Sequence, residues 1–130
     1  MTVYLDASAI VKLVAPEEET DALAVFLALH RSQATSVIGL VEVRRAAARR
    51  PGVGRERVEE VLRRISAIGL DLTRAAAAGS VGPAALRTLD AIHLASAAAL
   101  GDDLEAFVTY DRRLAGAARD LGMLDVAPGA

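Results

Sequence analysis

The chain has 130 residues, 53% of them hydrophobic and only 3% aromatic, with no cysteine and a formal net charge of -2. That length is expected to form a single domain over residues 1–130, burying roughly two thirds of the extended surface around an aliphatic core. Lack of cysteine excludes a disulfide framework or thiolate zinc site and suits a reducing cytoplasm, and the slightly acidic balance excludes gripping a polyanion by charge alone. No basic leader precedes an apolar run at the N-terminus, and the apolar stretch Ala91 to Leu100 is short and interrupted by His93 and Ser96. A secretory signal or membrane span is therefore not expected.

In chain order, Val3 to Asp6 reads as a short strand ending in a carboxylate, followed by a helix over Ala7 to Val14. Pro16 separates it from a second helix over Glu17 to His30. Ala34 to Ser36 is a second strand, and Val37 to Arg50 a helix that Pro51 and Gly52 terminate. Gly54 to Ile68 has helical periodicity, with Val58, Val61, Leu62 and Ile65 on one side. Leu70 to Leu72 is the expected third strand and Arg74 to Ala78 a short helix stopped by Gly79 to Pro83. A helix from Thr88 to Leu100, with Thr88 as its N-cap, leads to a fourth strand over Ala106 to Thr109. Arg112 to Leu121 is the last helix, closed by Gly122, and Leu124 to Val126 a fifth, edge strand. Strands separated by helices of these lengths predict an α/β fold, three layers with a central parallel sheet of four to five strands.

Asp6, Glu42, Asp90 and Asp111 fall where an apolar element should be burying itself. A buried carboxylate must neutralise, pair or bind a cation. In an open parallel sheet ligands collect beyond the carboxyl ends of the strands, and Asp6 and Asp111 both arrive there. Asp90 shares a helix side with His93 and Leu94 and should point inward. Three of the acids also have a structural role open to them: Asp90 complementing a helix dipole, Glu42 pairing with Arg45 or Arg49, Asp111 capping the last helix; Asp6, on a strand that should be apolar throughout, is harder to dismiss. Taken together, crowded carboxylates ionise at neutral pH only if a cation offsets their repulsion. Oxygen-only donors favour a hard ion, Mg²⁺ or Mn²⁺, and metal-assisted phosphodiester hydrolysis is the chemistry such a site performs. Ser8 and Thr109, each two residues from an acid, are auxiliary candidates for orienting ligands or water, or simply helix-start and strand residues. From Arg44 to Arg64 eight arginines face three glutamates, either a solvated helix surface with pairs such as Glu60 and Arg64 or an RNA-facing surface in which Arg45 and Arg49 contact the backbone.

VYLDASAIVKL at the front, LVEVRRA in the middle, LRTLDAIHLA later and FVTYDRRLAGAARDLGM near the end resemble PIN-domain proteins, specifically the VapC-type toxins of bacterial toxin–antitoxin pairs. The resemblance covers nearly the whole chain. It implies a Mg²⁺-dependent endoribonuclease with its metal site at Asp6, Glu42, Asp90 and Asp111, a small cognate VapB-type antitoxin that covers the site, and a homodimer. Two readings compete with it. His30 and His93 could serve as acid and base in metal-free RNA cleavage, and the acidic cluster could belong to a non-catalytic binding module that docks a basic segment of a partner.

Overall fold

The computed structural model describes residues 1–130. Five parallel strands, β1 (Thr2–Leu5), β2 (Gln33–Ser36), β3 (Ser66–Ile68), β4 (Leu104–Val108) and β5 (Asp125–Val126), lie in the order β3-β2-β1-β4-β5. Seven α-helices connect and flank them: α1 (Ala7–Val14), α2 (Thr20–Leu29), α3 (Val37–Ala48), α4 (Arg55–Leu62), α5 (Leu72–Ser80), α6 (Thr88–Ala98) and α7 (Arg112–Asp120). Alternation along the strands divides the core. Val3 and Leu5 of β1 and Ala106 and Val108 of β4 pack with α1, α2, α3 and α4 on one face, while Tyr4 and Phe107 pack with Leu94 and Ala97 of α6 and Leu114 and Ala118 of α7 on the other. The result is the expected α/β/α sandwich.

Strand order reverses beside β1: the chain moves outward to β2 and β3, then returns to place β4 on the opposite edge of β1. The carboxyl ends of β1 and β4 therefore flank the switch point where α/β sheets bind ligands. Capping residues follow the strands there. Asp6 caps α1 by accepting the Ala9 N–H at 3.0 Å, Ser36 caps α3 through Ile38 at 3.1 Å, and Asp111 caps α7 through Arg113 and Leu114. Each such cap is worth about 1 kcal/mol, so the polar residues at this rim also set where the helices start.

Three expectations need correction. The third strand is Ser66–Ile68, not Leu70 to Leu72, and Leu72 opens α5 behind an Asp71 cap. The apolar side Val58, Val61, Leu62 continues into the core at Ile65 after α4 has ended, so helical periodicity outlasts the helix and conceals the strand behind it. The second helix begins at Thr20, because Glu17 and Glu19 turn back to Lys12 at 2.7 and 2.8 Å. Thr88 is the first helical residue of α6 and not its cap, which is Arg87 without a side-chain bond.

Gly39 lies within α3, where glycine is ordinarily a cost. A β-carbon there would overlap the buried Thr35 Oγ1 and stand 3.4 Å from His93 Cε1. Gly39→Ala gains about 1 kcal/mol of helix propensity but overpacks this junction by about 1–3 kcal/mol, so thermal unfolding should show a lower Tm. Adding Thr35→Ala removes the obstructing hydroxyl and should recover the loss; a Gly39→Ala protein more stable than the wild type contradicts this packing.

Candidate functional site

Asp6 is 4% exposed and sits at the switch point. Its Oδ1 accepts the Ser8 hydroxyl at 2.7 Å and the Ala9 N–H, and its Oδ2 accepts the Thr109 hydroxyl at 2.6 Å. Thr109 Oγ1 in turn accepts the Asp111 N–H at 3.0 Å, and Ser8 Oγ accepts the Tyr110 N–H at 3.0 Å. The ends of β1 and β4 are thus stitched together through one carboxylate. Burial pushes the Asp6 carboxyl above its ordinary value, against the pull of Thr109, Ser8 and Ala9.

Asp90 lies in the first turn of α6, half-buried, and no side-chain hydrogen bond holds it in the fold. Its carboxyl is also pushed up, first by burial and then by the negative charge of Asp111, with Glu42 adding to the repulsion; Arg87 pulls the other way. Asp6 and Asp111 are therefore joined through Thr109, and Asp90 is coupled by charge to Asp111 and Glu42. Glu42 reaches the group from α3 through His93, whose Nε2 lies 2.6 Å from Glu42 Oε1. It does not pair with Arg45 or Arg49.

A cleft of about 540 Å³ opens beside this rim, lined by Ser8, Lys12, Glu42, Arg45, Arg49 and Tyr110 among others. Asp6, Asp90 and Asp111 do not line it, but their neighbours Ala7, Leu89 and Tyr110 do. Half of the arginines in the stretch from Arg44 to Arg64 are taken up by pairs: Arg44 with Glu59, Arg57 and Arg64 with Glu60, Arg50 with Glu17. Arg45 and Arg49 make no ion pair and stand exposed on the cleft wall.

No three His, Asp or Glu side chains form a ready-made ligand cage. The donors are carboxylates, that of Asp90 raised by burial and then by its acidic neighbours, with hydroxyls behind Asp6. That set fits Mg²⁺, which keeps several of its waters and takes one or two carboxylates directly. It does not fit a closed tetrahedral structural site.

The PIN domain family model matches residues 3–120. The chain belongs to the PIN-domain family. A Mycobacterium tuberculosis protein named ribonuclease VapC47 is 41% identical to it over 133 residues, with 98% of each chain covered, which places this PIN domain with the VapC type. Among solved structures, VapC20 of Mycobacterium tuberculosis, described as a sarcin-ricin loop cleaving toxin, superposes at a TM-score of 0.72 with 14% identity, covering 97% of this chain and 99% of that one. VapBC2 from Rickettsia felis, solved with a DNA fragment from their promoter, gives a TM-score of 0.72 at 16% identity, covering 98% of this chain and 99% of that one. At those identities the two structures speak for the fold alone.

The paired-histidine reading does not survive. His30 Nδ1 binds Glu105 Oε2 at 2.8 Å near the opposite ends of the strands, while His93 is buried between Tyr4 and Glu42. Tyr4 is the residue that sequence reasoning missed. Its place as the inward residue of β1 opposite Val3 and Leu5 is readable from alternation, but its partner on α6 is not.

A carboxyl held above its ordinary value binds its proton more tightly folded than unfolded, so it strengthens the fold as pH falls toward the ordinary range and weakens it as pH rises. Asp90→Asn removes that penalty. In chelator-treated protein its Tm should exceed the wild type's at pH 8, with the difference shrinking as pH is lowered toward 4. An unchanged or reversed difference contradicts the charge coupling among Asp90, Asp111 and Glu42.

Proposed function

We propose that this protein is a Mg²⁺-dependent endoribonuclease toxin, one PIN domain over residues 1–130, acting in the cytoplasm. Mn²⁺ can replace Mg²⁺ on the same oxygen donors. The observation that carries the reading is Asp90, whose carboxyl is raised by burial and by Asp111 and Glu42 on the rim that α/β folds use for ligands. The likeness to ribonuclease VapC47 supplies the substrate class. Asp6, Glu42, Asp90 and Asp111 are assigned to the cation, directly or through its waters.

A bound divalent ion supplies Lewis-acid polarisation of a phosphate and acidification of a water, favouring in-line hydrolysis that leaves 5′-phosphate and 3′-hydroxyl ends. The chain's own part is positional. Asp6, fixed by Ser8 and Thr109, presents a carboxylate that cannot swing away. Asp90 brings negative charge from α6 to the same rim. Arg45 and Arg49, without carboxylate partners, offer their guanidinium groups to the RNA backbone along the cleft, which lets an acidic protein approach a polyanion. A VapB-type antitoxin covering the site and a homodimeric assembly belong to the same reading, as expectations from membership of the PIN-domain family. No helix is long and apolar enough to cross a membrane.

Purified protein incubated with structured RNAs and Mg²⁺ should cleave them, EDTA should abolish cleavage, and Asp90→Asn should lower the rate by about 100-fold or more. Cleavage that persists with EDTA or in Asp90→Asn refutes the proposal. Replacing both Arg45 and Arg49 by Gln should weaken RNA binding and flatten its log–log salt dependence by roughly 0.7 for each phosphate no longer neutralised. An unchanged slope removes them from the RNA path.

A further inference from the structure

His93 is 2% exposed, and both of its ring nitrogens are engaged. Nδ1 stands 2.6 Å from the Tyr4 hydroxyl, which is fully buried on the α6 face of β1. That hydroxyl already accepts the Ser36 N–H at 3.0 Å. The buried Thr35 and Ser96 hydroxyls lie around the phenol without reaching hydrogen-bond geometry. The phenolic proton is therefore free to go to Nδ1, which places the ring proton of a neutral His93 on Nε2, aimed at Glu42 Oε1. A directional chain follows: Ser36 N–H to Tyr4, Tyr4 O–H to His93, His93 Nε2–H to Glu42. It leaves α3 at its N-cap and returns to the same helix at Glu42, having passed through β1 and α6.

We infer that His93, oriented by Tyr4, is a positioning residue for the Glu42 carboxylate, engaging one oxygen so that the other faces the cation; this rests on the metal-dependent reading above. Glu42 needs such a device. It is a long side chain on a partly exposed turn of α3, with Arg45 and Arg49 on the same cleft wall and free to draw it away from the acids. Neither arginine holds it; the histidine does. Gly39 packs against this junction, where a β-carbon would overlap Thr35 Oγ1 and stand 3.4 Å from His93 Cε1. Ligands fixed by such outer partners are pre-organised for the metal, and losing the partner commonly weakens metal binding by about 10- to 100-fold. A polar network serving only the fold would change stability and leave metal affinity alone.

Mn²⁺ titration of the intact chain, followed by calorimetry or by the loss of free-ion electron-spin resonance, separates the two. His93→Leu should weaken Mn²⁺ binding by about 10-fold or more, and His93→Gln, which retains an N–H donor near the Nε2 position, should recover part of it. Tyr4→Phe keeps the ring in the core and should shift affinity in the same direction as His93→Leu, so the test stands even if the leucine variant fails to fold. In a Glu42→Gln background, His93→Leu should have little further effect, because it acts only through Glu42. Wild-type affinity in both His93→Leu and Tyr4→Phe, or an equal loss with and without Glu42, overturns the positioning role. A wild type that takes up no Mn²⁺ overturns the metal reading and this inference with it.

Discussion

A carboxylate buried at the end of the central strand organises this fold. Asp6 caps α1, ties β1 to β4 through Thr109, and meets Ser8, which in turn holds the Tyr110 backbone. Removing water from a charged group costs several kcal/mol unless hydrogen bonds and charge replace it. Three donors meet part of that cost, yet burial still wins and keeps the Asp6 carboxyl above its ordinary value. The neighbouring carboxylates at Asp111, Asp90 and Glu42 add negative charge to the same rim. Such a concentration is a standing cost to the metal-free fold and a gain once a cation arrives.

Several charges elsewhere in the fold are paired. Burial pulls the Lys12 ammonium down, but its hydrogen bonds to Glu17 and Glu19 outweigh that and hold it above the ordinary lysine value. Its ammonium also lies 4.6 Å from the Tyr110 ring centroid. Arg50 adds a second cation to Glu17, and Arg119 neutralises Asp125 on the last strand. Several acids away from the rim have basic partners, while Asp90 and Asp111 make no ion pair. Pairing of this kind on an exposed surface contributes little to stability, and its significance here is that it leaves Arg45 and Arg49 as uncommitted cations on the cleft wall.

Much of this was legible in the sequence. Capping and strand-end rules place Asp6 and Asp111, and β-alternation and helical spacing place the two core faces, because these depend on neighbours a few residues away. The third strand was misread because Ile65 extends the apolar side of α4 beyond its last turn, and a three-residue edge strand, Ser66–Ile68, leaves little pattern of its own. Thr88 looked like a cap because threonine often is one, but Arg87 takes the extended conformation and Thr88 is already helical. Glu42 was visible as a candidate and its partner was not. The expected partners were arginines on its own helix, whereas the actual one is on α6, 51 residues away, a contact set by the sheet order that brings α3 and α6 together.

On the function proposed above, the carboxylates just after β1, on α3 and α6 and at the start of α7 serve one hydrated cation at the switch point. Crystals grown with Mn²⁺ and measured for its anomalous scattering test that most directly. The predicted result is one strong peak at the carboxyl end of β1, within direct or water-mediated reach of Asp6 and Asp90. Saturating Mn²⁺ with no peak there, or with peaks only among the Asp102, Asp103 and Glu105 acids at the opposite end of the sheet, would contradict it.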